Sequence, residues 1–146
     1  MISELTQLAI KAAIEASKDI LTIYHSDDFE IENKEDSSPL TKADKAAHNI
    51  ISSILQTSNI PILSEEGKNI TYETRKYWDK LWIVDPIDGT KEFIARNGEF
   101  TINIALIEKN KPVLGVVLAP VLGIIYFSEK NDSNYMHSWS FPFLLI

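Results

Sequence analysis

Apolar residues recur at helical spacing in two segments of the N-terminal part of the chain. In residues 3–25 they fall every three or four positions, as on one face of an amphipathic helix: Leu5, Leu8, Ala9, Ala12, Ala13, Ala16, Ile20 and Ile23. Ser3 stands where a helix N-cap is expected. A second helix is predicted to begin at Thr41, and its apolar stripe comprises Ala43, Ala47, Ile50, Ile51, Ile54 and Leu55.

The rest of the chain contains shorter apolar runs that are typical of strands. These runs are residues 61–63, 81–84, 100–107, 113–119 and 123–128. The segment Asn110-Lys-Pro112 indicates a turn, and the last three strands form an antiparallel meander. The sequence therefore predicts an α+β fold, in which two N-terminal helices pack on one face of a mainly antiparallel sheet.

Two segments lack a periodic pattern. Residues 26–40 are polar and of mixed charge, which predicts a loop with a short extended piece near residues 29–31. Residues 131–146 form a divergent tail, with a loop at 131–134 followed by an apolar segment that could pack on the core or stay exposed. We therefore place a domain over residues 1–130 and a separate tail over residues 131–146.

Composition narrows the classes of function. The 146 residues are 45% hydrophobic and 24% charged, which fits one globular domain, and the net charge is −7. This acidic balance disfavours nucleic acid polymers, because no basic surface would hold their phosphates. Cysteine is absent, so disulfides and a thiol nucleophile are excluded. The N-terminus shows no signal-peptide pattern, and no apolar run is long enough to span a bilayer. The sequence does not indicate an oligomeric state.

Acidic residues stand at the ends of three predicted elements: Asp44, the pair Glu65-Glu66, and Asp85 with Asp88. Taken singly, each has an ordinary interpretation, since Asp44 can cap the second helix with Thr41 and the others can lie in exposed turns. The run Asp85-Pro-Ile-Asp-Gly-Thr90 is less ordinary, because two acids follow an apolar strand. Pro86 and Gly89 predict a sharp turn there, which would bring both carboxylates together at the sheet edge.

Two carboxylates held close together repel each other unless a proton or a cation compensates them. Mg²⁺ bound through oxygen ligands is suited to this, and metal-assisted phosphate hydrolysis is the chemistry that fits. The backbone N–H groups of Gly89 and Thr90 suit a phosphate, and the Thr90 hydroxyl could orient the attacking water. The three histidines show no metal-ligand spacing, and His48 is interpreted as a partly exposed or core histidine.

At these residues the chain closely resembles the inositol monophosphatase superfamily of Mg²⁺-dependent phosphatases. The resemblance rests on Leu40-Thr-Lys-Ala-Asp44, Leu63-Ser-Glu-Glu66 and the run from Trp82 to Thr90. The continuation Lys91-Glu-Phe93 resembles the bacterial 3'(2'),5'-bisphosphate nucleotidase branch, since the inositol phosphatases usually carry Thr-Asn-Phe there. The match extends from the first helix to about Ser128, and the fold it implies is the N-terminal part of the family's layered α/β sandwich.

The resemblance implies a role for each site residue. Glu65, Asp85, Asp88 and the backbone carbonyl of Ile87 would bind two or more Mg²⁺ ions, and Thr90, supported by Asp44, would position the nucleophilic water. Glu65 and the backbone from Ile87 through Asp88 and Gly89 to Thr90 would contact the substrate. That substrate would be a small phosphorylated nucleotide, 3'-phosphoadenosine 5'-phosphate, which is converted to AMP and phosphate in sulfur metabolism. The implied location is cytoplasmic, with a peripheral position at the inner face of the membrane for some relatives.

The chain departs from the family pattern at its C-terminal side. In the family a second α/β half follows the meander and supplies a further aspartate ligand, usually in a Trp-Asp-x-Ala context. Here Trp139 is followed by Ser140 and not by an aspartate. Three alternatives to an active nucleotidase therefore stay open. These are an inactive truncated remnant, a noncatalytic module that pairs through an exposed sheet edge, and an inositol-1-phosphate phosphatase, against which Lys91 and Glu92 argue.

Overall fold

The fold, described by a computed structural model for residues 2–130 and 136–140, has helices on one face of a six-stranded sheet. The helices are α1 (Glu4–Tyr24), α2 (Lys42–Leu55) and two single turns, α3 (Tyr72–Arg75) and α4 (Thr90–Ile94). A hairpin of β1 (Glu32–Asn33) and β2 (Pro39–Leu40) is separate from the sheet. The sheet consists, in spatial order, of β3 (Ile62–Ser64), β4 (Lys80–Asp88), β5 (Thr101–Glu108), β6 (Lys111–Ala119), β7 (Ile124–Glu129) and β8 (Met136–Ser140).

The strand directions confirm the predicted α+β class. β3 runs parallel to β4, and each other neighbouring pair in the sheet is antiparallel. Both long helices pack against each other and against the sheet. None of the helices within the described residues is long and apolar enough to span a membrane.

The ends of the long helices are fixed by side chains. The hydroxyl of Ser3 accepts a hydrogen bond from the Thr6 backbone N–H at 3.1 Å, which confirms the predicted N-cap of α1. At the other end of α1, the guanidinium of Arg96 donates to the carbonyls of Tyr24, at 2.6 Å, and Ser26. A cation at this end is favourable, since the last helical carbonyls carry partial negative charge.

The hydrophobic core lies between the two long helices and the inner face of the sheet. Small side chains at the helix contact let the two backbones approach closely, and they are all fully buried: Ala9, Ala12, Ala13, Ala16, Ala43 and Ala47. The sheet contributes alternate residues of its strands, including Trp82, Val84, Ile102, Ile104, Leu106, Val116, Leu118 and Ile125. Residues 100–107 show this alternation in the sequence, whereas the other strands were predicted from their apolar runs.

The outer face of the sheet carries apolar side chains that the described residues leave open to solvent. Ile83 is 42% exposed, Val117 is 40% exposed and Tyr126 is 39% exposed. Asp85, Asn103, Val117 and Tyr126 are successive partners across β4, β5, β6 and β7 and therefore form one row. The outer face thus combines an apolar surface with one of the candidate metal ligands.

Three local predictions need correction. The extended piece lies at Glu32–Asn33 and not at residues 29–31, because Glu30 has a φ of +48°, which an extended strand does not adopt. The sharp turn predicted from Pro86 and Gly89 does not lie at Pro86, since β4 continues to Asp88; the chain turns at Gly89, where φ is +101°. The tail, which lacked a predicted element, contains strand β8 paired with β7, whereas residues 131–135 and 141–146 lie outside the described residues.

Candidate active site

Helix α2 begins with a capping box that also organises the candidate site. The carboxylate oxygen Oδ2 of Asp44 accepts hydrogen bonds from the backbone N–H of Thr41 at 2.8 Å and from its hydroxyl at 2.5 Å. In return the Thr41 hydroxyl accepts the Asp44 backbone N–H at 3.4 Å. The capping interpretation of Asp44 is therefore confirmed, and this carboxylate is fully buried.

The second oxygen of Asp44 points to the other predicted catalytic residue. Its Oδ1 accepts a hydrogen bond from the Thr90 hydroxyl at 2.9 Å, and the carbonyl of Ile87 lies 3.4 Å from the same hydroxyl. Because that hydroxyl has only one proton, donation to Asp44 leaves its oxygen lone pairs free to accept a hydrogen bond from a water. The structure thus brings Asp44 and Thr90 together as the sequence predicted.

A β-bulge brings Asp85 and Asp88 to the same face of the sheet. Asp85 pairs with Asn103 and Asp88 pairs with Thr101, so Pro86 and Ile87 on β4 oppose a single residue on β5. Without the extra residue, two positions three apart would lie on opposite faces of a strand. The arrangement is tied together by Asn103, whose side-chain amide donates to Asp88 Oδ2 at 2.9 Å.

Asp85 lies in an unfavourable environment for a lone carboxylate. Its Oδ1 atom is the one buried side-chain oxygen in the described residues that has no hydrogen-bond partner. Burial, the proximity of the Glu65 carboxylate and the charge of Asp88 raise the pKa of Asp85 from 3.8 to about 7, against a smaller lowering by the Ile87 backbone N–H. This environment requires either a shared proton or a cation.

The Glu65-Glu66 pair follows β3, and its two members differ in environment. The Glu65 backbone N–H donates to the Val84 carbonyl at 3.0 Å, which places the pair beside β4, and the Glu65 side chain is 54% exposed. The Glu66 side chain is only 8% exposed and forms an ion pair with Lys34. Burial raises the pKa of Glu66 although Lys34 opposes the shift, and the Lys34 ammonium also lies 3.4 Å from Glu65.

These residues surround a single cleft of about 260 Å³, which we call the carboxylate cleft. Its lining is Lys34, Ser38, Pro39, Glu65, Asp85, Ile87, Asp88, Gly89, Thr90, Lys91 and Glu92. Every predicted metal-binding or substrate-binding residue is in this set, and Asp44 lies buried beneath it through Thr90. Within the described residues, however, no three histidine, aspartate or glutamate side chains already converge as a metal site.

Two contributors to the site carried no recognisable signal in the sequence. Lys34 lies in the polar loop between α1 and α2, and its position at the cleft depends on the β1–β2 hairpin. His48 lies on α2, and its Nδ1 shares a hydrogen bond with the Ser64 hydroxyl at 2.8 Å. Neither contact could be read from spacing, because both depend on how separate elements pack.

A second, larger cleft of about 480 Å³ lies away from these carboxylates, at the turn between β5 and β6. It is lined by Glu108, Lys109, Lys111, Val113 and Lys130. This set contains one carboxylate and no second acid to share a cation with it. The acid chemistry predicted from the sequence therefore belongs to the carboxylate cleft.

Sequence comparison finds relatives along most of this chain. The model of the inositol monophosphatase family matches residues 1–143, which extends past Ser128, where we expected the resemblance to end. The 3'(2'),5'-bisphosphate nucleotidase CysQ of Salmonella typhimurium is 50% identical over 136 residues, or 91% of this chain and 53% of the relative. The protein of the same name from Escherichia coli strain K12 is 46% identical over the same share of each chain.

Solved structures share this fold over most of the chain. The crystal structure of CysQ from Bacteroides thetaiotaomicron superposes with a TM-score of 0.79 at 50% identity, covering 92% of this chain and 49% of that one. The extragenic suppressor protein suhB from Bartonella henselae has a TM-score of 0.79 at 26% identity, covering 92% of this chain and 51% of that one. The chain therefore spans about half the length of the curated relatives it matches.

Proposed function

Because this chain belongs to the inositol monophosphatase family, we propose that its carboxylate cleft binds Mg²⁺ and supports phosphomonoester hydrolysis. The substrate class is a nucleoside 3',5'-bisphosphate, with 3'-phosphoadenosine 5'-phosphate as the specific candidate and AMP and phosphate as products. A cytoplasmic location is part of the proposal, and the cysteine-free composition is compatible with a reducing compartment.

The observation that carries the proposal is the unpartnered oxygen of Asp85. A buried carboxylate oxygen without a donor is costly, and here the carboxylates of Glu65 and Asp88 add repulsion. The donor set consists of oxygen atoms alone, which is the ligand type that Mg²⁺ prefers. The residues present therefore fit this ion.

The proposed ligands are the carboxylates of Glu65, Asp85 and Asp88 and the backbone carbonyl of Ile87. Bound Mg²⁺ would supply charge neutralisation at phosphate oxygens and lower the pKa of a bound water. Because Glu65 lies beside Asp85 and also 3.4 Å from the Lys34 ammonium, we expect its carboxylate to leave the ammonium when the ion binds.

The chain's own residues account for positioning of the nucleophile. The Thr90 hydroxyl donates to Asp44 at 2.9 Å, so its oxygen presents lone pairs to a water in the cleft. Asp44 is held in turn by two bonds from Thr41, which fix the direction of the accepting oxygen. A water that donates to Thr90 keeps a lone pair free for attack on phosphorus, with the proposed phosphate seat along Gly89 and Thr90.

Two observations favour a nucleotide over inositol 1-phosphate. The relatives named 3'(2'),5'-bisphosphate nucleotidase are 46–50% identical to this chain, whereas SaIMPase-II, solved with inositol monophosphate bound, is 26% identical. Lys34 and Lys91 also line the cleft and provide positive charge for a substrate with two phosphate groups. Inositol-1-phosphate hydrolysis is accordingly the second candidate.

The test uses the 146-residue chain, purified without divalent cations. We expect Mg²⁺-dependent phosphate release from 3'-phosphoadenosine 5'-phosphate, little release from inositol 1-phosphate, and loss of both in Asp85→Asn. Asp19→Asn, which changes an exposed aspartate on α1, is the matched control. Equal turnover of the two substrates would refute the nucleotide assignment.

Binding measured alongside turnover separates the remaining alternatives. Mg²⁺ binding without turnover in a folded monomer would indicate that this chain holds the metal but lacks catalytic competence. Concentration-dependent self-association without Mg²⁺ binding would favour the pairing module. The domain boundary at residue 130 remains a prediction.

A further inference from the structure

Helix α2 contacts both segments that carry the proposed ligands, through two residues one turn apart. Asp44 and His48 are four positions apart and so lie on the same face of the helix. Asp44 accepts the hydrogen bond from Thr90, at the end of the β4 segment. His48 forms the corresponding link to Ser64, at the end of β3.

The contact of His48 with Ser64 is close and part-buried. Nδ1 of His48 lies 2.8 Å from the Ser64 hydroxyl oxygen, and Ser64 is 8% exposed. The Ser52 hydroxyl is 3.5 Å from the same ring nitrogen. Ser64 is the last residue of β3 and directly precedes Glu65, so its position sets where the Glu65 backbone begins.

The imidazole ring also packs against the turn that contains both glutamates. The Gly67 backbone N–H donates to the Ser64 carbonyl at 3.0 Å, which closes a turn around Glu65 and Glu66. A Cβ atom added at Gly67 would lie 3.2 Å from the Ser64 carbonyl oxygen and 3.4 Å from Cε1 of His48. The ring therefore lies about one van der Waals contact from the Gly67 position and borders this turn.

We propose that His48 is a positioning residue that holds the Ser64–Gly67 turn against α2 and thereby places Glu65 beside Asp85. The proposal rests on the proposed function in one respect, namely that Glu65 is a metal ligand. In this arrangement α2 fixes the water-positioning side of the site through Asp44 and the Glu65 side through His48. Residues that hold a ligand in place commonly change metal affinity about 10- to 100-fold when they are replaced.

Two polar substitutions distinguish the hydrogen bond from the bulk of the ring. In asparagine the amide atoms are attached to Cγ, as Nδ1 is in histidine, so His48→Asn keeps a hydrogen-bonding group near the Nδ1 position. In glutamine the amide lies one carbon further out, so His48→Gln retains polarity but misplaces that group. His48→Leu removes the bond altogether, and Ser64→Ala removes the other partner.

The first measurement is binding of Mn²⁺ to the full chain, followed by the electron paramagnetic resonance signal of the free ion, since Mn²⁺ takes the same oxygen ligands. We expect the affinity for Mn²⁺ to be at least about 10-fold lower than that of wild type in His48→Gln, His48→Leu and Ser64→Ala. In His48→Asn it should be close to that of wild type. The double variant His48→Leu with Ser64→Ala should bind no more weakly than either single variant, because both remove the same bond.

The second measurement is hydrogen exchange of the Gly67 amide in metal-free protein. We expect faster exchange in His48→Gln and His48→Leu than in wild type, and slow exchange in His48→Asn. Urea unfolding of each variant provides the control that the fold is retained.

The two readouts fail independently. If wild type binds no Mn²⁺, the proposed metal site is refuted, and the exchange rate of Gly67 alone decides the role of His48. Wild-type Mn²⁺ affinity together with wild-type Gly67 exchange in His48→Gln would overturn the proposal. Equal losses in His48→Asn and His48→Gln would also overturn it, because a packing role alone would then account for both.

Discussion

Asp85→Asn should make the metal-free chain more stable and the Mg²⁺-bound chain less stable than wild type. The substitution removes the carboxylate that burial and the charges of Glu65 and Asp88 disfavour. It also removes an oxygen anion on which the proposed metal site depends. The effect of this substitution on the free energy of unfolding is therefore expected to be positive without the ion and negative with it.

The size of the metal-free effect follows from the pKa of Asp85, which is raised from 3.8 to about 7. At about 1.4 kcal/mol for each pKa unit, the unscreened cost of ionising this group in the fold is about 4 kcal/mol. Asp85 is half-buried, so solvent screening reduces the expected gain on neutralisation to about 1–2 kcal/mol. For a chain of this length that corresponds to a rise in melting temperature of roughly 3–8 °C.

The pH dependence has a definite sign. Between pH 3.8 and about pH 7, the folded state holds a proton on Asp85 that the unfolded state has lost. The contribution of this group to wild-type stability therefore falls as pH rises through that window and stays low above it. The excess free energy of unfolding of Asp85→Asn over wild type should be small near pH 3.8 and fully developed at about pH 8.

Urea unfolding in EDTA and in Mg²⁺ measures both effects. An Mg²⁺ concentration about 100-fold above the dissociation constant should stabilise wild type by about 2.7 kcal/mol and Asp85→Asn hardly at all. Asp19→Asn should follow wild type under every condition. If Asp85→Asn is destabilised in EDTA at about pH 8, or gains as much from Mg²⁺ as wild type does, the electrostatic reasoning fails.

Three further substitutions test the framework around the site by urea unfolding. Thr41→Val should lower the free energy of unfolding by about 1 kcal/mol, because the capping box with Asp44 is broken. Thr41→Ser keeps the hydroxyl and should not lower it. Equal losses in the two variants would contradict the hydrogen-bond argument. Gly89→Ala should lose about 1–3 kcal/mol, since φ is +101° and a Cβ would lie 3.0 Å from the Glu99 carbonyl oxygen; an unchanged midpoint would count against it. Arg96→Met should lower the free energy of unfolding by about 1–2 kcal/mol, because the carbonyls at the end of α1 lose their hydrogen-bond donor. Lys91→Met is the exposed control. Equal effects of the two substitutions would contradict this role of Arg96.

Local sequence patterns predicted the helices because their determinants lie within a few residues. Ser3 and Thr41 cap helices through bonds to residues three positions later. The apolar spacing that identified α1 also gives its buried face, as Ala9 and Ala16 show. Such signals need no knowledge of the rest of the fold.

The geometry at Asp85 and Asp88 could not be predicted in the same way. The sequence indicated that the two carboxylates meet, but a turn was inferred where β4 continues with a bulge. A bulge is defined by the partner strand, because an extra residue exists only relative to the pairing with β5. Proline and glycine are compatible with either arrangement, so composition alone did not distinguish them.

Long-range contacts explain what the sequence could not show about Lys34 and His48. Lys34 is 31 residues from Glu65 in the chain, and His48 is 16 residues from Ser64. Each residue type is common on protein surfaces and in helices, so neither stood out. Their roles become visible only when the hairpin, helix α2 and β3 are placed together.

The bulge also couples the candidate metal site to the outer face of the sheet. Asp85 belongs to the same cross-strand row as Val117 and Tyr126, which remain 40% and 39% exposed. Burial is the largest cause of the raised pKa of Asp85, so any chain segment or partner that covered this face would disfavour the bare carboxylate further. Covering the face would then strengthen the requirement for a cation, and by thermodynamic reciprocity a bound cation would favour covering the face.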